Sequence, residues 1–243
     1  MFLSYLKNMT KGGLATYGAV LPNIARKDIR EFYSSCLAST TELYNETTSL
    51  LLSKGLEIRP PYIPYHTKVD FIEKQSFLAG WLGEQRPLTG TEIMHLFANI
   101  QTNSLGKAIT LGFGQVSKSP KISKYMNRGN EISSKHIDIF AKHLSREDLP
   151  VPMTWDHEVE NITTSPFSEK LMMFQIGLLS SAGVGNYGVA ISLSKRRDVA
   201  ADYIRLSGEV LQFAEDGINI NIENGWLERP PHAADRDEIN KLK

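Results

Sequence analysis

Residues 198–231 read DVAADYIRLSGEVLQFAEDGININIENGWLERPP, and residues 28–61 read DIREFYSSCLASTTELYNETTSLLLSKGLEIRPP. The two stretches align without a gap at an offset of 170 positions. Extended to 1–61 against 171–231, the alignment keeps ten identities. They are Gly13/Gly183, Tyr17/Tyr187, Gly18/Gly188, Arg26/Arg196, Asp28/Asp198, Tyr33/Tyr203, Gly55/Gly225, Arg59/Arg229, Pro60/Pro230 and Pro61/Pro231. The identities fall where helices need punctuation. Asp28 and Asp198 suit an N-cap, where a short carboxylate accepts from free backbone N–H groups. Gly55 and Gly225 suit the position after the last turn, where a left-handed conformation is cheap only for glycine. The Pro-Pro that follows cannot continue a helix.

Between these marks, Ile29, Tyr33, Cys36, Thr40, Leu43, Thr47 and Leu50 recur at three- and four-residue steps. Their counterparts are Val199, Tyr203, Leu206, Val210, Phe213, Gly217 and Ile220. Each set is one buried stripe on a helix of about seven turns. The helix before each is rich in small residues: Gly12, Gly13, Ala15, Gly18 and Ala19 in one copy, Ala182, Gly183, Gly185, Gly188 and Val189 in the other. Such residues predict a close approach of helix axes. A phosphate loop at 183–188 is disfavoured, because no strand precedes it and the glycine spacing is wrong.

A second hairpin lies between the copies. Thr89-Gly-Thr-Glu92 has the form of a capping box and opens a helix to about Lys118; Ser119-Pro120 opens another to about Arg146. With 168–224 these make four long helices. The segment Glu147–Phe167 is long enough to run the length of such a bundle. The expected fold is all-α: a ferritin-like four-helix bundle with a long crossover, plus an extra helical hairpin from a partial first bundle. The expected organisation is a hairpin at 1–58, a Pro-rich linker at 59–88, the complete bundle at 89–231 and a tail at 232–243. Two amphipathic helices alone leave an apolar stripe wet, so the 1–55 hairpin is expected to self-associate or dock.

Composition narrows the function. Twenty-seven basic and twenty-seven acidic residues give a formal charge of zero, against the basic excess of a non-specific nucleic-acid or membrane-surface binder. No apolar run approaches the roughly 18 residues of a membrane span, and the start lacks a signal-peptide pattern. Cys36 is the only cysteine, which excludes an intramolecular disulfide and fits a reducing cytoplasm.

Further residues resemble those of a known family. They are Arg-Pro-Pro after a glycine-capped helix, KQSFLAGW at 74–81, HLFANIQTN at 95–103, KHI at 135–137 and AEDG at 214–217. They resemble a two-bundle ferritin-like family of unknown function from endospore-forming bacteria, itself distantly similar to the spore coat protein F group. The resemblance implies the fold and a sporulation or spore context, with no reaction attached. It also implies a first helical hairpin that this sequence is expected to lack.

A ferritin-like fold raises the question of a metal centre. The usual di-iron set takes a Glu from each of two helices and a Glu-x-x-His from each of the other two. Glu92-Ile-Met-His95 has the spacing but is placed on a solvated face by its periodicity, with Glu92 already engaged in the capping box. His136 and His143 share the buried stripe of their helix, and Glu209 sits on the edge of its own. A mid-bundle cluster of His136 and Glu209, with Gln101, Ser104 and Gln212 as neighbours, is therefore the candidate site for a transition metal. A core histidine paired for packing is its rival. Helix 168–196 offers no Asp, Glu or His between Glu169 and its end, which argues against a two-metal centre. Cys36 reads as a small core residue, and Lys195-Arg196-Arg197 as a basic run suited to a helix C-terminus. Trp81, Trp155 and Trp226 read as anchors for the connections.

These features lead to a non-enzymatic structural or interaction protein, cytoplasmic or within the spore, binding neither nucleic acid nor membrane. The alternative is a metal-binding or oxidative protein using His136 and Glu209. A small-ligand carrier is a third reading, which a sizeable cavity between the helices would favour.

Overall fold

The computed structural model of the chain describes residues 1–64, 68–81 and 85–241. Residues 65–67, 82–84 and 242–243, inside the linker and tail ranges given above, lie outside the described residues. The described residues are helical, with no strand among them. Six long helices are α1 (Phe2–Val20), α2 (Lys27–Ser53), α3 (Gly90–Val116), α4 (Pro120–Ser145), α5 (Glu169–Leu193) and α6 (Arg197–Glu223). A short α7 (Arg236–Lys241) follows.

Local chemistry sets the boundaries. The Thr89 hydroxyl accepts from Glu92 N–H while the Glu92 carboxylate accepts from Thr89 N–H, a complete capping box. Ser119 caps α4 ahead of Pro120, and Ser168 caps α5. Gly55 and Gly225 both stand at φ +66°. The bonds Leu56 N–H to Leu51 O, 2.9 Å, and Trp226 N–H to Asn221 O, 2.8 Å, close the same Schellman turn after α2 and α6. Asp28 and Asp198 are not N-caps. Arg26 and Arg196 occupy that position, and each guanidinium takes the carboxylate two residues on.

The helices pair as hairpins α1–α2, α3–α4 and α5–α6, and the last two face each other. Lys121 meets Glu223, Arg128 meets Asp216, His136 meets Glu209 and His143 meets Asp202, so α4 runs antiparallel to α6. Asn103 meets Tyr187 and Glu92 meets the backbone of Arg196, so α3 runs antiparallel to α5. One half of the shared core holds Leu96, Ile100, Phe140, Leu144, Val199 and Leu206. The other holds Ile122, Met126, Met172, Met173, Ile176 and Phe213.

The glycines of α1 and α5 do not bring axes together as expected. A Cβ at Gly12, Gly18, Gly183, Gly185 or Gly188 would meet nothing within 4 Å; only Gly13, 3.1 Å from Thr40, lies close. The tight approaches are elsewhere. A Cβ at Gly217 would lie 2.3 Å from Tyr125 Oη, beside the ring stacked on Phe213 at 4.2 Å.

The connection after α4 lies along α3, tied by Lys107 to Asp156 at 2.6 Å and by the Gln115 amide to the carbonyls of Glu160 and Ile162. Trp155 and Trp226 pack as anchors, but Trp81 is exposed. Hairpin α1–α2 touches the rest through α1: Tyr5 Oη donates to Gln175 Oε1 at 2.5 Å, and Thr102 pairs with Asn8. Apart from the short turn at Leu21–Asn23, the substantial neighbour of α2 is α1. By length and composition α5 could cross a membrane; here its inner side packs in the core while Leu171, Phe174, Leu178 and Val189 are exposed.

Candidate functional site

The middle of α4 places His136 with no exposed surface, as its position on the helix stripe predicts. Its Nε2 faces Glu209 Oε2 at 3.4 Å and its Nδ1 faces Tyr187 Oη at 2.9 Å. The Asn103 amide donates to that phenol oxygen at 2.8 Å, which leaves the phenol proton for Nδ1. The neutral imidazole then carries its own proton on Nε2, toward the carboxylate. Burial pushes the His136 pKa down to about 4, against a smaller upward pull from Glu209. The Glu209 carboxylate continues outward to Lys135 at 2.7 Å and Arg205 at 3.2 Å. Burial pushes its pKa up, but Lys135 and His136 outweigh that and hold it below the usual carboxylate range. Burial raises the Tyr187 phenol well above its ordinary value.

None of the three expected neighbours bonds to His136 or Glu209. Gln101 turns away to donate to Ile58 O at 3.2 Å, in the stretch that follows α2. The Ser104 hydroxyl is satisfied by Ile100 O one turn back in its own helix. Gln212 is exposed, one position from buried Phe213 and on the outer side of α6. Tyr187 was not anticipated at this site. Its signal was its identity with Tyr17 across the aligned hairpins. Tyr203, identical with Tyr33, stands beside it and accepts from Asn99 at 3.4 Å.

A metal at this point would find His136 and Glu209 and no third ligand of the usual kinds. Among the described residues no three His, Cys, Asp or Glu side chains gather at metal-binding distance. The geometry instead supports a directional hydrogen-bond chain, Asn103 to Tyr187 to His136 to Glu209, in which both imidazole nitrogens are engaged.

A second polar cluster closes the end of the core where α3 and α6 begin. Glu92 is fully buried, contrary to the solvated face expected of it. It accepts from the Arg86 guanidinium at 2.8 and 2.9 Å and from the N–H groups of Thr89, Lys195 and Arg196. Burial pushes its pKa up, but these donors outweigh it and hold the carboxyl at about 2. Arg196 is likewise buried rather than a surface cation. It bonds Asp198 twice, Glu147 Oε1 at 2.8 Å and His143 Nδ1 at 3.4 Å, while His143 Nε2 faces Asp202 at 2.8 Å. Asp198 is roofed by Gly80, where a Cβ would lie 2.3 Å from the Asp198 amide nitrogen. The corresponding pair Arg26–Asp28 is exposed.

Space between the core helices is small. A cavity of about 70 Å³ lies among Asn103, Thr110, Ser133, Ser180 and Tyr187. A larger apolar cleft of about 490 Å³ lies outside them, between the start of α1, the second half of α3 and the connection before α5.

Comparison with known proteins adds lineage. The model of a family described as proteins of unknown function, DUF3231, matches residues 1–69 and 76–239. The chain is a member of the DUF3231 family. No functionally curated protein matches this DUF3231 chain. Among solved structures it is similar to a candidate spore coat protein from Bacillus halodurans, with a TM-score of 0.57 and 16% identity, over 62% of this chain and 98% of the other. At that identity the likeness concerns the fold.

Proposed function

We propose that this DUF3231 chain is a non-enzymatic structural or interaction protein of ferritin-like fold, associated with the spore, that docks through its α1–α2 hairpin. In this reading α3–α6 form a complete bundle and α1–α2 repeats its second half. The observation that carries it is one of unequal cover. Phe213 and Ile220 of α6 are 5% and 4% exposed beneath α4, whereas Leu43 and Leu50, the aligned positions of α2, are 39% and 42% exposed. A stripe patterned for burial but left open marks a docking surface. The internally satisfied His136 and the fold-level likeness to a spore coat candidate agree with a structural role.

The test is fractionation of spores from an endospore-forming host that expresses the chain. The wild type is expected in the coat fraction, and Phe32→Asp on the open face is expected to release it. Recovery of both in the soluble fraction overturns the proposal. The metal reading has its own measurement on untagged protein: a stoichiometric transition metal lost on His136→Ala would replace the structural role with a metal-binding one.

A further inference from the structure

We infer that the open face of α2 is covered by a second copy of this chain, the two α1–α2 hairpins meeting about a two-fold axis. The inference rests on the docking reading above and names its partner. Inside the chain, α3–α4 and α5–α6 already show how two hairpins cover each other, with second helix antiparallel to second helix. That register can be transferred to two copies of α2 by laying helix start on helix start. The contact of His143 with Asp202 becomes Leu50 opposite Phe32 of the second copy, and that of His136 with Glu209 becomes Leu43 opposite Ser39. Lys121 with Glu223 becomes Asp28 opposite Ser53, beside Lys54.

The transferred register therefore sets Leu50 against Phe32 toward each end of the face and Leu43 against Ser39 at its middle. It turns the contact of Arg128 with Asp216 into Ser35 opposite Glu46, and brings Asp28 beside Lys54 at the ends. Phe32, Leu43 and Leu50 are the residues it would cover, and Phe32 is 62% exposed. Elimination points the same way. The inner faces of α3–α4 and α5–α6 are spent on each other, which among the described residues leaves α1–α2 as the interior-patterned face a second copy can offer. A net charge of zero sets no long-range repulsion against the pairing. The outer face of α6, with Ile204, Leu211 and Ile218 exposed, is the competing surface and serves as the control.

Sedimentation equilibrium of the full chain tests the pairing. A dimer is expected, weakened about 100-fold or more by Phe32→Asp and unchanged by Leu211→Asp. In a Cys36→Ser background, Ser39→Cys with Leu43→Cys is expected to form an interchain disulfide under mild oxidation. This second variant keeps the test decisive if Phe32→Asp does not fold. A monomer at the highest soluble concentration, a dimer indifferent to Phe32→Asp, or the absence of the interchain disulfide overturns the inference. If the chain is monomeric yet Phe32→Asp still releases it from the coat fraction, the docking face stands and the second copy falls. If the dimer forms but neither protein enters the coat fraction, the pairing stands and the spore reading falls.

Discussion

His136 stays neutral inside the core, so acid acts on it through the unfolded chain. Its folded pKa, about 4, lies below the ordinary 6.5, so the unfolded state binds the proton first. Its contribution is complete above about pH 6.5 and is lost as pH falls toward 4, a difference of up to about 3 kcal/mol. Denaturant titrations from pH 7 to 4 should show that slope in the wild type and a flatter one in His136→Gln. Two glycines of α6 make a sharper comparison. Gly217→Ala drives a methyl into the Tyr125 ring and should cost about 1–3 kcal/mol. Gly208→Ala enters open space and should gain up to about 1 kcal/mol of helix propensity. Thermal unfolding of the two variants would separate packing from propensity. The inward face of His136 was legible from its helix stripe, and Glu209 followed from the antiparallel pairing. Gln101, Ser104 and Gln212 failed because the stripe fixes a direction, whereas the nearest acceptor decides where a side chain bonds.

Helix ends were the most legible elements, since capping is a bargain among residues within one turn. The capping box at Thr89, the serine before Pro120 and the paired glycines after α2 and α6 all rest on such short-range chemistry. What the same logic missed was position: Asp28 and Asp198 stand two residues inside the N-caps, each held by the guanidinium of the arginine that occupies the cap. Small residues misled for another reason, because close approach depends on what stands opposite. The Arg-x-Asp motif at two helix starts offers an element-level experiment. Arg196→Ala leaves Asp198 and Glu147 without their buried cation and should cost about 3–5 kcal/mol. Arg26→Ala removes a solvent-exposed pair and should change stability far less. Equilibrium unfolding of the two single variants would measure burial with the chemistry held constant. Glu92 adds an acid limit to the same junction: its folded pKa lies below its unfolded one, so its contribution is complete above about pH 4.5 and fades as pH falls toward 2.

At the scale of the whole molecule, the six long helices and the all-α character were legible from periodicity, whereas the short α7 in the expected tail was not. The mounting of α1–α2 was not legible either, because it depends on a few long-range contacts such as that between Tyr5 and Gln175. Those two residues are separated by 170 positions, the offset that aligns the hairpins themselves. Corresponding points of α1 and α5 therefore touch, as the palms of two similar hands would. An interchange experiment follows. Tyr5→Gln or Gln175→Tyr alone breaks the donor–acceptor match, by about 1 kcal/mol each in unfolding free energy. Made together they trade places, and the bond is expected to reform with its direction reversed.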